Sequence, residues 1–193
     1  INHQWSKSAL FEQALQNYVS HYIHDDLICA SALRQWSEFR IVKEFSWYKQ
    51  YFGVFSSCNR NFHLDGSRVS YRRCCQCPKC LSTYMLLRPF VSDEHVLQIW
   101  WKELYTEDAL LSQFQDLWGV GGLKPFECVW EAEEYRYATW LILEQWLIDQ
   151  TLILKFFEAE ISKSLTRNER QALWNDLLQS YSFSDSLSFL KNT

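Results

Sequence analysis

Five of the seven cysteines in this 193-residue chain lie in one stretch, SCNRNFHLDGSRVSYRRCCQCPKC. Cys74, Cys77 and Cys80 run as C-x-x-C-x-x-C, and fifteen residues lie between Cys58 and Cys74. Four thiolates satisfy a tetrahedral zinc ion without help from water, so Cys58, Cys74, Cys77 and Cys80 are the expected ligands. Such a site has no open position, and the zinc would be structural. Cys75 is left over and is expected to face away. A disulfide cluster is disfavoured by the odd cysteine count and the lack of a signal segment. A four-iron cluster is the remaining rival, because iron also takes closely spaced thiolates. Arg60, Arg68, Arg72, Arg73 and Lys79 surround the cysteines, against one carboxylate, Asp65. Basic neighbours offset the negative charge of a four-thiolate zinc. Phosphate or nucleic-acid contact is the alternative use of the same charges.

Two further stretches carry chemistry. GVGGLKPFECVWEAEE supplies Gly119, Gly121 and Gly122, which let backbone approach a ligand, beside Lys124, Glu127 and Glu131. Paired carboxylates four apart share a helical face and can bind magnesium or act as acid and base. The same acids also suit a helix start, where the dipole favours them. Cys128 reads as a small core residue. The opening run INHQWSKS offers Ser6, Lys7 and Ser8 as an anion nest, or as a plain helix cap with a solvated lysine. Nothing in the spacing places His3 on a metal.

The elements that must position these groups are mostly helical. Apolar residues three and four apart predict helices over Ala9–His24, Ala32–Phe52, Pro78–Pro89, Asp93–Leu104, Asp108–Trp118, Glu131–Lys163 and Asn168–Leu178. Glu131–Lys163 has a natural break near Asp149 and Gln150. Arg34 and Glu38, four apart, would pair on one helical face. Pro78 stands at a helix start, and Thr166 with Glu169 forms a capping box. Strand signal is confined to short runs such as Asp26–Cys29. The tail from Tyr181 is Ser-rich and expected to fray.

Composition bounds the class. An apolar fraction of 48%, with ten Trp and thirteen Phe, supports a substantial aromatic core. A net charge of -4 implies no general affinity for nucleic acid. The most apolar run, TWLILEQWLIDQTLILKFF, is interrupted by Glu144, Asp149 and Lys155, so no membrane insertion is expected. The chain opens at Ile1, inside a motif-like run, which leads us to expect the C-terminal half of a longer protein.

INHQWSKS, ALRQWSEFRI, SCNRNF, CCQCPKC and GLKPFECV, in that order, resemble the C-terminal half of the UDP-N-acetylmuramoyl-L-alanyl-L-glutamate epimerase family. The resemblance covers roughly Ile1 to Glu134. It implies the C-terminal part of an α/β adenine-nucleotide alpha-hydrolase-like fold (HUP/PP-loop), mainly α in this segment, and a distant similarity to cyano-deazaguanine synthase. On that basis 1–57 would end the nucleotide-hydrolase-like domain and 58–90 form the zinc region. A helical region over 91–180 and a flexible tail over 181–193 would follow. The implied activity is ATP- and magnesium-dependent inversion of a terminal L-glutamate in peptidoglycan precursor synthesis, in the cytoplasm. Lys124 and Glu127 would be catalytic. Ser6, Lys7 and Ser8 would face the nucleotide, and His3, Arg34, Ser37 and Glu38 the UDP-linked muramoyl dipeptide. Gln35, Cys75 and Trp130 depart from the family pattern, which has proline at the first position and glycine at the other two. The SGGxDS-type phosphate loop is absent, so an upstream segment or a partner chain would carry it. Two other functions compete: a zinc-containing ATP-dependent enzyme modifying a base or a protein, and a non-catalytic zinc-stabilised adaptor.

Overall fold

The computed structural model describes residues 5–61, 72–122, 131–164 and 166–178. Among them every regular element is an α- or 3-10 helix, with no strand. This corrects the expected α/β nucleotide-hydrolase-like (HUP/PP-loop) architecture. A parallel sheet needs near-continuous β-branched runs, whereas the apolar residues here recur at helical spacing. Asp26–Cys29 shows why the strand signal fails. The Cys29 amide donates to Gln16 Oε1 at 2.7 Å, and Gln16 Nε2 donates to the Leu27 carbonyl at 3.2 Å. One side chain thus serves backbone groups that a neighbouring strand would otherwise pair.

The chain divides into two compact units, Glu38–Leu177 and the flanking Ile1–Ser37 with Leu178–Thr193. The described part of the flanking unit centres on α1 (Ala9–Tyr22), capped by Ser8, whose Oγ accepts from the Phe11 amide at 3.1 Å. The segment after α1 turns back along it. Ser31 donates its amide to Glu12 Oε2 at 3.1 Å, and Arg34 closes the ion pair with the same oxygen at 2.8 Å.

The larger unit contains α2 (Glu38–Phe45), α3 (Pro78–Leu87), α4 (Asp93–Trp100), α5 (Leu111–Leu117), α6 (Ala132–Glu144) and α7 (Leu152–Glu160), and most of α8 (Arg167–Leu178). The single helix expected over Ala32–Phe52 does not form. Turns occupy 32–36, and α2 stops where the Ser46 hydroxyl donates to the Lys43 carbonyl at 2.6 Å. The long pattern over Glu131–Lys163 splits into α6 and α7, with Thr151 Oγ1 accepting from the Leu154 amide at 3.2 Å as the second cap. The Thr166–Glu169 capping box is present: each residue's amide donates to the other's side chain, at 2.7 and 3.3 Å.

Helix α3 is the spine. Leu81, Ser82, Tyr84, Met85, Leu86 and Leu87 are all buried, and the helix packs on α2, α5 and α6. A helix buried over most of its length suits the centre of a bundle. Buried polar groups are matched across its neighbours. Ser82 and Tyr135 share a hydrogen bond of 2.6 Å between α3 and α6. Arg88, just past α3, donates to Glu103 and Asp93 at 2.8 and 2.7 Å, which a buried guanidinium requires.

Thr139 on α6 is the densest such hub. Its hydroxyl donates to the Tyr135 carbonyl at 2.9 Å and accepts from Trp118 Nε1 at 3.0 Å, with the Tyr105 hydroxyl 2.8 Å away. Thr139→Val keeps the shape and strands both aromatic donors in the core. It should lower stability by about 2–4 kcal/mol in urea unfolding. Thr139→Ser keeps the hydroxyl and should lose about 1 kcal/mol. Equal losses in the two variants would mean that packing, not the hydrogen bonds, sets the value of this site.

Candidate metal centre

The centre is built from the turn after Cys58 and the start of α3. Ser56 Oγ donates to the Arg72 carbonyl at 2.8 Å, and Asn61 Nδ2 donates to the same oxygen. These bonds bring the chain back to Cys58 across the residues that intervene. Pro78 then occupies the first turn of α3, and Cys77 is its N-cap, with extended backbone (φ -84, ψ 154). The C-x-x-C-x-x-C spacing therefore wraps one sulfur before the helix and sets another on its first turn.

The ligand atoms of Cys58, Cys74, Cys77 and Cys80 all lie within 4.8 Å of one another, and Cys74 Sγ is 3.9 Å from Cys80 Sγ. A regular tetrahedron of zinc–sulfur bonds of about 2.3 Å has an edge of about 3.8 Å. A four-iron cluster binds each thiolate at a different corner and spreads the sulfurs further. The spacing fits a single ion. The six described cysteines are all free, so the disulfide alternative is not realised among them.

Backbone amides aim at the sulfurs. Cys74 N donates to Cys58 Sγ at 3.3 Å, Gln76 N and Cys77 N to Cys74 Sγ at 3.4 and 3.2 Å, and Cys80 N to Cys77 Sγ at 3.4 Å. Such bonds stabilise thiolates over thiols. The hydrogen bond with Cys80, then backbone amides, bring Cys77 down to about 4, against the opposing effect of burial. The same bond and burial drive Cys80 upward, and burial raises Cys74. A divalent ion would take the place of the protons on these sulfurs.

Cys75 takes no part in the cluster. Its thiol donates to the Trp100 carbonyl at 3.2 Å, and burial pushes it up to about 12. Its backbone is left-handed, at φ 54. Glycine meets that demand without strain, so the backbone here suits the glycine that the resemblance leads one to expect and makes cysteine the strained choice. The thiol's bond to the end of α4 offsets part of the strain.

Of the surrounding cations, Arg60 and Arg72 are exposed, whereas Arg73 is only 2% exposed. Its guanidinium lies 4.0 Å over the Phe55 ring and donates to the Phe55 carbonyl at 2.9 Å. Burial lowers its pKa, while charge on Cys80, Cys75, Cys58 and Cys77 works the other way. The sequence offered Arg73 as one of five equivalent cations, and no local signal set it apart.

The other expected site residues are placed as follows. His3, Lys124 and Glu127 lie outside the described residues, as do Arg68 and Asp65. Ser6 is exposed in the 3-10 turn Trp5–Lys7, and Ser8 caps α1. Lys7 ends that turn. Arg34 stands in a turn beside Glu12, so the shared helical face with Glu38 does not form. Ser37 directly precedes α2, and Glu38 opens it.

One group was not picked out as a site residue. Glu134 Oε1 accepts from the Phe39 amide at 3.4 Å and so caps α2 from α6. Burial, and then charge on Glu38 and Glu131, pushes its carboxyl up to about 7. In the sequence it is one acid in the run EAEE, where nothing distinguishes it from its neighbours.

A model of the MurL C-terminal domain family matches residues 54–172. The UDP-N-acetyl-alpha-D-muramoyl-L-alanyl-L-glutamate epimerase of Xanthomonas oryzae pv. oryzae is 37% identical over 178 residues, covering 89% of this chain and 38% of that protein. The proteins of the same name from Salinispora tropica and a Micromonospora species are 39% and 37% identical over 145 residues. Each match covers 75% of this chain, and 31% and 32% of those relatives. The chain thus spans less than two-fifths of the length of these relatives. No solved structure matches it. These matches lend no support to the expected tie to cyano-deazaguanine synthase.

Two outcomes follow from the geometry. Purified protein should hold one metal ion per chain by elemental analysis. Cys58→Ala should lose it together with much of the fold's stability, and Cys75→Gly should retain it. Retention of metal by Cys58→Ala would refute the four-thiolate site. Glu134 contributes a pH dependence. Its folded pKa is raised, so its contribution is full below about 4.5 and is lost as pH climbs through about 7. Stability should fall by up to about 3 kcal/mol between those limits, and Glu134→Gln should flatten the curve. An unchanged profile in Glu134→Gln would assign the dependence to other groups.

Proposed function

From the premise that this chain belongs to the MurL C-terminal domain family, we propose that it is the C-terminal part of an ATP-dependent epimerase of UDP-N-acetylmuramoyl-L-alanyl-L-glutamate. The observation that carries this reading is the 37% identity to an epimerase of that name, over 89% of this chain. The reaction belongs to peptidoglycan precursor synthesis, and its nucleotide-linked substrate goes with a cytoplasmic setting. Among the described residues no helix is long and apolar enough to cross a membrane.

The chemistry asked of such an enzyme is demanding. The α proton of a free glutamate is very weakly acidic, because its removal puts a second negative charge beside the carboxylate. Activation of that carboxylate with ATP and magnesium neutralises the first charge. An acid–base pair can then remove the proton from one face and return one to the other. Cations or backbone amides hold the oxyanion that develops. The rest of the longer protein, or a partner chain, supplies the ATP loop. In this chain Glu127 moves a proton or holds magnesium, and Lys124 stabilises the activated carboxylate. Ser6, Lys7 and Ser8 face the nucleotide. His3, Arg34, Ser37 and Glu38 serve the acidic peptide, with Arg34 exchanging Glu12 for a substrate carboxylate. Cys58, Cys74, Cys77 and Cys80 hold zinc. Four thiolates close its coordination sphere, so it shapes the fold and takes no step in the reaction.

The test uses the full-length protein with ATP, magnesium and the UDP-linked dipeptide, and follows deuterium entry at the glutamate α carbon. ATP-dependent exchange with inversion is expected. Glu127→Gln should abolish exchange while the zinc content stays intact. No exchange in the unmodified protein rejects the epimerase reading, and full exchange in Glu127→Gln rejects the assigned role.

A further inference from the structure

Four thiolates around a divalent ion leave a net double negative charge, and three of the four sulfurs belong to buried residues. Charge of that kind is costly inside a protein unless a cation lies close by. Arg60 and Arg72 are exposed, and water screens their charge. Arg73 differs from both. It adjoins Cys74 in the chain, and its Nη1 lies 3.5 Å from Ser57 Oγ, beside Cys58. Its guanidinium is also 5.3 Å from the Trp100 ring, and Trp100 is the residue whose carbonyl binds Cys75. The Phe55 ring, the Phe55 carbonyl and the Trp100 ring therefore hold one buried cation in place, directly before Cys74 in the chain and within reach of the residue that precedes Cys58.

We propose that Arg73 is the internal counter-charge of the four-thiolate centre and sets how firmly the metal is held. The proposal rests on the reading of the four thiols as a zinc centre. Arg73 is a positioning residue, since it touches the frame of the centre and not the ion. Among the described residues no carboxylate forms an ion pair with Arg73, and such a buried guanidinium would be a poor choice for packing alone, because an apolar side chain could fill the same aromatic slot without desolvating a charge. The sulfurs account for its retention. The ion-bound centre keeps a net double negative charge, and a cation held beside Cys74 stabilises that form.

The discriminating pair is Arg73→Lys, which keeps the charge and loses the planar stack, and Arg73→Gln, which keeps a donor and loses the charge. Zinc content of the unmodified protein is measured first. Less than half an equivalent, with intact free thiols, sinks both the zinc reading and this proposal. With zinc present, its transfer to a colorimetric chelator is followed for each variant, with Arg72→Gln as the exposed control. Arg73→Gln should release zinc about tenfold faster than Arg73→Lys, the scale expected of one nearby charge at intermediate dielectric. Arg73→Lys and Arg72→Gln should stay within about threefold of the unmodified protein. Equal release from Arg73→Gln and Arg73→Lys, with the zinc content normal, overturns the proposal and leaves the zinc reading standing.

Cobalt(II) supplies a readout that a packing role would not move. In the cobalt-substituted protein, loss of a positive charge near sulfur raises the energy of the sulfur electrons. The thiolate-to-cobalt charge-transfer band should shift to longer wavelength in Arg73→Gln and stay in place in Arg73→Lys. An unmoved band in Arg73→Gln overturns the proposal. If Arg73→Gln does not fold, Arg73→Lys decides alone. Release close to the unmodified rate supports the counter-charge, and release as fast as about tenfold above it assigns Arg73 to packing.

Discussion

The larger unit depends on how four sulfurs within 4.8 Å of one another are reconciled with their own charge. As thiolates they repel; as thiols they hold one another only weakly. A divalent ion resolves the conflict and fixes the geometry together. The consequence reaches past the centre. Cys77 caps α3 and Cys80 sits in its first turn, so an ion held by the cluster would anchor the N-terminal end of the helix on which the unit is built. The chain from Ser46 to Cys77 contains only short 3-10 turns among its described residues. Its described part is held by turn hydrogen bonds, such as those from the Val54 and Phe55 amides to the Tyr51 carbonyl, and a bound metal would add order beyond them.

Beyond α3 the core is held by aromatic rings; the polar ends of Tyr84, Tyr105, Trp118 and Tyr135 are matched, whereas Trp100 Nε1 is buried with no partner among the described residues. Tyr84 packs edge-on to Trp100, Tyr105 stacks on Phe114, and Trp118 meets Phe157. Rings bring large apolar areas, but each Tyr or Trp also carries a group that must be paired when buried. Thr139 and Ser82 do that pairing inside the bundle. The result is a specific core: shifting a helix by one residue would unpair several groups together.

The metal centre and the family's chemistry occupy different kinds of structure. The cysteine cluster is locally built, with three of its four residues buried, which suits a permanent role. The groups proposed for the substrate sit at helix starts and in turns, or in stretches outside the described residues. Glu38 illustrates the difference. It opens α2, and the carboxyl that caps that helix comes from Glu134, far along the chain. The raised pKa of Glu134 comes from its burial and then from charge on Glu38 and Glu131, against the capping bond from the Phe39 amide, which lowers it.

What the sequence determined by itself was whatever depends on near neighbours. Cysteine spacing named the four thiols that come together. Residues three and four apart outlined α1, α3, α6, α7 and α8, and Thr166 with Glu169 marked the last helix start. All of these are contacts across a turn or two, where chain geometry leaves little choice of partner. The tertiary structure decided the rest. It broke the segment over Ala32–Phe52, because the cap of α2 comes from another helix. It gave Arg34 to Glu12, twenty-two positions back in the chain, where a helical face shared with Glu38 was expected. It ended α4 at Trp101 in left-handed backbone, with the Cys75 thiol on the last carbonyl, where periodicity carried the helix on to Leu104. It also separated Arg72 from Arg73, neighbours of one type, by burying only the second. The physical reason is the same in each case. A side chain's identity fixes which bonds it can make, but only packing fixes which partner arrives within reach.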